Sequence, residues 1–175
     1  MSHIEKITGE LNALTAGVER AQTLAAAADN QTQEAALRAA SAGFAAVAAG
    51  LTRVRDAISA IRGSLGGLAT MIGEATKATS TVPQGASPHE TIAGLTPVQH
   101  GTDGIRETAA ATIAQLDQAR QLVTGVLHGG QPGPLLQSLE SIKQVLTLIV
   151  TRTATARQAV ETAVAEARQL GSAGN

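Results

Sequence analysis

The chain has no cysteine, no tryptophan and no tyrosine, and its single aromatic residue is Phe44. Without thiols, disulfides, thiolate metal sites and cysteine nucleophiles are excluded. Without an aromatic platform, the chain lacks the usual means of stacking unpaired bases. The charges are also balanced, because 13 Lys and Arg stand against 14 Asp and Glu with no basic stripe. We therefore expect no nucleic-acid partner.

Long apolar runs are lacking as well. The longest aliphatic run, residues 145–150, is interrupted by Thr147 and is too short to cross a bilayer. The first residues, MSHIEKITGE, do not combine a basic region with an apolar core, as an ordinary signal peptide does. We expect no membrane span and a cytoplasmic location, with export only through a partner.

Residues that could carry chemistry do not form a recognised pattern. His89 begins like the first ligand of a metalloprotease helix, but Ala93 stands where the second histidine is required. The glycine-rich segment 63–67 lacks the ending of a phosphate-binding loop and follows no strand. We predict no catalytic, cofactor-binding or metal-binding residue and no small-molecule ligand, and hence a protein that is not an enzyme.

What the chain does have is alanine and a regular apolar repeat. Apolar residues recur at alternating spacings of three and four, a 3.5-residue period typical of coiled-coil helices whose seams face a partner. Small residues flank the strongest seam, which allows a neighbouring backbone to come close. The members of that seam are Leu37, Ala40, Phe44, Val47, Leu51, Val54, Ile58, Ile61, Leu65, Leu68 and Ile72. The same spacing recurs from Ile4 to Ala28 and from Leu135 to Leu170. We predict that the residues buried together in the core include Leu51, Val54, Ile58, Ile61, Leu65, Leu139, Ile142, Leu146 and Ile149.

These seams predict an all-α fold, an elongated antiparallel helical bundle that forms a single domain over residues 1–175. Capping-box patterns at Ser2 and Ser87 and a second start signal at Thr96-Pro97 mark helix beginnings. The polar stretch 29–32 is the favoured first turn, and one continuous helix with a stutter is the alternative. We predict four long helices at about 3–28, 32–77, 97–127 and 135–170, and a short helix at 88–95.

Four segments of the chain carry a family resemblance: MSHIEKITGELNALTAG, GFAAVAAGLTRVRDAI, SPHETIAGLTPV and HGGQPGPLLQSLESIKQVL. Together they resemble a family of uncharacterised, alanine-rich helical proteins of actinobacteria, which implies no established activity. The leading hairpin is distantly similar to the helical proteins of type VII (ESX) secretion. Those usually carry tryptophan in the turn and tyrosine in an export signal, and this chain has neither residue.

The composition favours a protein that works by helix association. Alanine-rich seams bury little surface per residue, so a partner surface would stabilise the fold. The sequence predicts a non-enzymatic helical interaction protein that forms a homo-oligomer or pairs with another helical chain. Alternatives are an accessory of a type VII secretion or toxin system and a structural subunit of a helical assembly. If helix one ends near residue 28, the candidate interaction surface is formed by Leu65, Leu68, Met71 and Ile72.

Overall fold

The computed structural model describes residues 2–130 and 132–174, and over these ranges the chain forms four α-helices and no strand. Helix α1 spans His3–Ser41, α2 spans Ala45–Ser80, α3 spans Pro88–Val126 and α4 spans Gly133–Ala173. The predicted all-α bundle of four long helices is confirmed, although several helix bounds differ. No helix in the described part of the chain is long and apolar enough to cross a membrane.

The four helices pack in a ring, each against the two that are its neighbours. Contacts between α1 and α4 show that they are antiparallel, because His3 meets Glu166 while Gln31 meets Ser138. Each helix is about 60 Å long at 1.5 Å per residue. The connections after Ser41 and Val126 lie at one end, which we call the hairpin end. The beginning of α1, the end of α4 and the connection after Ser80 lie at the other, the terminal end.

The core runs along the inside of this ring and follows the predicted seams. The buried stripe of α1 keeps the alternating spacing from Ile7 through Ala28 and on to Thr32. The predicted core residues of α2 and α4 are at most 2% exposed, which confirms that part of the prediction. These residues are Leu51, Val54, Ile58, Ile61, Leu65, Leu139, Ile142, Leu146 and Ile149.

The predicted turn at 29–32 is wrong, and α1 continues through it as one helix. Thr32 is buried and donates its hydroxyl to the carbonyl of Ala28 at 2.7 Å. Asp29 is held from the neighbouring helix, with its carboxylate 3.1 Å from Arg55 Nε and 3.7 Å from Arg62 Nη1. Thr32 therefore bonds a carbonyl of its own helix, Asp29 pairs with α2, and Gln31 contacts Ser138 of α4, so the polar stretch is compatible with the continuous helix that was the alternative.

The true turn lies at 42–44 and is set by Gly43, whose φ is +84°. The amide of Phe44 donates to the Ala39 carbonyl at 2.8 Å, and the amide of Gly43 donates to the Ala40 carbonyl at 3.1 Å. This pair of bonds is the Schellman motif that ends helices at a glycine in the left-handed region. Leu37 and Phe44 were therefore assigned to the wrong helix face, and they are 61% and 63% exposed.

The predicted short helix at 88–95 does not exist as a separate element, because α3 runs through Pro97. Thr96 does not cap a new helix; its hydroxyl donates to the Ile92 carbonyl one turn back, at 2.8 Å. Pro97 cannot donate to the carbonyl of Ala93, but both residues are exposed, so that carbonyl can be solvated. The predicted cap at Ser87 is confirmed as a full capping box with Glu90.

The last helix also extends beyond its predicted end. It passes through Gly171 and ends at Ala173, and Leu170, expected to continue the seam, is 68% exposed. The buried stripe instead ends at Ala167. The seam prediction therefore holds along most of α4 and fails in its last turn, where no neighbouring helix covers Leu170.

Candidate interaction surface

The four residues predicted as an interaction surface lie inside the bundle. Leu65, Leu68 and Ile72 are at most 1% exposed. Because α1 extends to residue 41 before the chain turns, α1 lies alongside this part of α2 and covers it. Met71 is half-buried against α3, with its sulfur 3.8 Å from the hydroxyl of Thr108. The premise that helix one stops short of these residues is wrong. Leu65, Leu68 and Ile72 are not available to a partner while the bundle is folded, and Met71 is only partly exposed.

The glycines next to those residues do face outward. A Cβ atom added at Gly63, Gly66, Gly67 or Gly73 would meet nothing within 4 Å. Each glycine costs about 1 kcal/mol of helix stability relative to alanine. No contact inside the bundle requires these residues to be so small. The outer face of α2 therefore carries four glycines with open space above them, interspersed with exposed polar side chains such as Arg62 and Glu74.

Large apolar side chains are exposed mainly at the hairpin end. Leu37 and Phe44 are more than half exposed, and Leu122, near the end of α3, is 37% exposed. Val47 lies one turn into α2 and is half-buried. We call Leu37, Phe44, Val47 and Leu122 the hairpin-end residues. Among the residues that the structure describes, the other exposed large apolar residues are Leu148 and Leu170, which stand apart on α4.

A groove runs between α2 and α3 at the same end. Its floor is apolar and small, and Arg53, Gln118 and Gln121 form its polar edge. The helices come close here because Gly50 leaves room for Val126, whose Cγ2 would lie 2.6 Å from an added Cβ. The apolar lining residues are Ala46, Val47, Gly50, Leu122, Gly125 and Val126. This geometry suits one or two apolar side chains of a partner, with a polar group beside Arg53.

Residues 86–172 match the model of DUF6244, a family of unknown function. The match covers just under half of the chain and contains α3 and nearly all of α4. No curated protein and no solved structure matches the chain. The segment that matches DUF6244 contains α3, which forms one side of the groove. Helix α2, which forms the other side, lies outside the matched segment.

The perturbed ionisable groups inside and outside the DUF6244 segment have structural partners. The amide and hydroxyl of Ser87 lower the pKa of Glu90, and Ser2 lowers that of Glu5 in the same way. Hydrogen bonding to Asp29 raises the pKa of Arg55. Across the described residues, no group of three or more His, Asp or Glu could hold a metal ion. These shifts arise from helix caps and one ion pair between helices.

A second cleft, of about 460 Å³, lies at the terminal end. Its walls include Ile4, Val82 and Leu170, and at its rim His3 Nε2 lies 2.6 Å from Glu166 Oε2. Its two carboxylates are already engaged, since Glu5 caps α1 and Glu166 contacts His3. The cleft therefore offers apolar surface without a free charged group, in contrast to the groove at the hairpin end.

Sequence reasoning missed the exposure of Leu37 and Phe44 because it continued the α2 seam across the turn. Leu37 and Phe44 have the correct spacing for that seam, but spacing has meaning only within one helix. The signal that could have found the turn is Gly43, since glycine just past a helix end is the usual stop. The small flank of α2 was read correctly: Gly50 faces Val126, and Ser64 Oγ lies 2.9 Å from Gln115 Oε1.

Proposed function

We propose that this chain is a non-enzymatic helical interaction protein that associates, through its hairpin end, with another copy or another helical chain. The observation that carries the proposal is the exposure of large apolar side chains at that end, above all that of Phe44. Phe44 is the only aromatic residue of the chain, and it is 63% exposed at the turn between α1 and α2. Large aromatic side chains are enriched in protein contact sites and often anchor them.

The outer face of α2 supports the same proposal. It continues from the hairpin end along the helix through the open glycines 63, 66, 67 and 73. Small residues allow helix axes to approach closely, and these glycines gain nothing from contacts within their own bundle. A second helix lying along this face would provide contacts that offset their cost in helix propensity.

The test compares two exposed apolar residues in different places. Phe44→Ser removes the aromatic side chain at the hairpin end, and Leu148→Ser is the matched control, because Leu148 is 56% exposed on α4. We expect Phe44→Ser to weaken self-association by about tenfold or more, since buried aromatic anchors dominate interfaces. Leu148→Ser should leave it unchanged. Sedimentation velocity over a concentration series measures both.

Two results would contradict the proposal. Equal weakening by both substitutions would show that the hairpin end is not the contact site. A chain that remains monomeric at millimolar concentration and also binds no helical peptide would remove the basis for an interaction protein of this kind. Circular dichroism of each variant provides the control for folding.

A second candidate function is an accessory of a type VII secretion or toxin system. The observation that favours it is the antiparallel helical hairpin formed by α1 and α2, since the helical proteins of those systems, to which the leading sequence is distantly similar, are also hairpins. The actinobacterial resemblance and a cytoplasmic location belong to this proposal too. It predicts a stable one-to-one complex when the chain is co-expressed with a helical secretion substrate. Separate elution of the two proteins in gel filtration would contradict it.

A further inference from the structure

Ion pairs connect some, but not all, of the neighbouring helices in the described part of the chain. Carboxylates and cations are paired between α1 and α2, between α1 and α4, and between α3 and α4. Among the described residues, the interface between α2 and α3 has no ion pair, and its polar contacts are those of Ser64 with Gln115 and of Thr108 with Met71. Arg53 lies at the interface between α2 and α3, at the edge of the groove.

Arg53 differs from the other cations near the hairpin end. Arg38 pairs with Glu34, Arg55 and Arg62 pair with Asp29, and Arg120 and Lys143 share Asp117. In the ranges the structure describes, Arg53 makes no ion pair, even with Asp56 one turn away on the same helix. It is exposed beside the amide side chains of Gln118 and Gln121. The groove thus carries one arginine without an ion pair in the described part of the chain, and the carboxylate of Asp56, the nearest along its own helix, does not pair with it.

The apolar part of the groove has the dimensions of a short helix contact. From Ala46 to Arg53 the α2 wall rises about 10 Å, or two helical turns. A helix that lays apolar side chains into such a groove uses positions i, i+4 and i+7. A side chain at the first position would meet Val47, one at the second would lie near the level of Gly50 and Val126, and one at the third would lie between Arg53 and Leu122.

We propose that the α2–α3 groove recognises a helical segment of another protein that carries a carboxylate at the end of a short apolar stripe. The inference rests on the proposed function and names the chemistry of its partner. The apolar side chains fill the groove, and the carboxylate pairs with Arg53 and accepts hydrogen bonds from the glutamine amides. A basic segment is disfavoured by the same guanidinium.

Nucleic acid does not fit this site. Phosphate backbones are bound by several Lys and Arg along a track, whereas this groove has one cation and an apolar floor. A second copy of the chain is the competing occupant, and the test separates it from a foreign helix.

The experiment uses two synthetic helical peptides labelled with fluorescein. Both carry leucine at i and i+4, and they differ only at i+7, where one has glutamate and the other lysine. Fluorescence anisotropy with the full chain should give about tenfold tighter binding for the glutamate peptide. Arg53→Glu should reverse that preference. The control Arg20→Glu changes an exposed arginine on α1 that also lacks an ion pair among the described residues, and it should change nothing.

The outcomes distinguish this inference from the proposed function. If both peptides bind equally and Arg53→Glu has no effect while Phe44→Ser weakens association, the carboxylate recognition is wrong and the apolar contact stands. If neither peptide binds but the chain associates with itself through Phe44, the occupant is a second copy and the inference is overturned. If neither peptide binds and the chain stays monomeric, the proposed function fails as well.

Discussion

A glycine series along α2 tests how that helix is packed. Gly63 and Gly67 are open, so alanine at either position should gain helix propensity without a clash, about 1 kcal/mol each. Gly50 is closed, because an added Cβ would lie 2.6 and 2.8 Å from the two γ-carbons of Val126. The same propensity gain is then opposed by an overpacking cost of about 1–3 kcal/mol.

The change in the free energy of unfolding should differ in sign, or at least in size, between Gly50→Ala and the substitutions at the two open positions. Gly63→Ala and Gly67→Ala should each raise the melting temperature by about 2–4 °C for a chain of this length. Gly50→Ala should leave the free energy of unfolding near the parent value or lower it by up to about 2 kcal/mol. Urea unfolding followed by far-ultraviolet circular dichroism measures each variant, at a concentration low enough to avoid association.

Two results would contradict this description of how α2 is packed. If Gly50→Ala stabilises as much as the two open positions, α2 and α3 are not in close contact at Val126. If Gly63→Ala or Gly67→Ala destabilises the monomer, the outer face of α2 is packed against something within the chain. The second result would also remove the support that this face gives to the proposed function.

Further substitutions test the core, the turn, the continuity of α1 and one cap. Ile58→Ala and Ile142→Ala, both at fully buried positions, should each lower the free energy of unfolding by about 2–5 kcal/mol in urea titrations. Gly43→Ala, at φ +84°, should cost about 1–2 kcal/mol in the same assay. Asn30→Pro should cost about 3 kcal/mol or more, whereas a turn at 29–32 would tolerate it. The lowered pKa of Glu90 means that its stabilising effect is present above the ordinary glutamate pKa and is lost as the pH falls through the lower, folded-state value. Acid unfolding of Glu90→Gln should lack that contribution.

The sequence predicted the bundle well because apolar spacing reports directly on a helix face. The stripes through Ile7 and Leu11, through Ile58 and Ile61, and through Ile142 are all buried as expected. The capping boxes at both predicted starts are also present, since they depend only on residues three apart. Local patterns of this kind are decided by a few neighbouring residues.

The errors arose where the tertiary structure decides between local alternatives. Asp29 belongs to the turn-forming residue types, but Arg55 and Arg62 of the next helix stabilise it within a helix. Pro97 resembles a helix start, but its exposed position allows α3 to continue. The candidate interaction surface depended on the turn position, so the misplaced turn made buried residues appear exposed. The groove itself requires two helices, and no local pattern could predict it.

The most direct test of the central claim, that the chain associates through its hairpin end, is a methyl NMR titration of the full chain. With increasing protein concentration, or on addition of the glutamate peptide, the methyl signals of Leu37, Val47 and Leu122 should shift or broaden. Those of Leu148, which is as exposed as Leu37 but lies far along α4, should stay in place. Changes centred on Leu148, or equal changes at all four residues, would contradict the account.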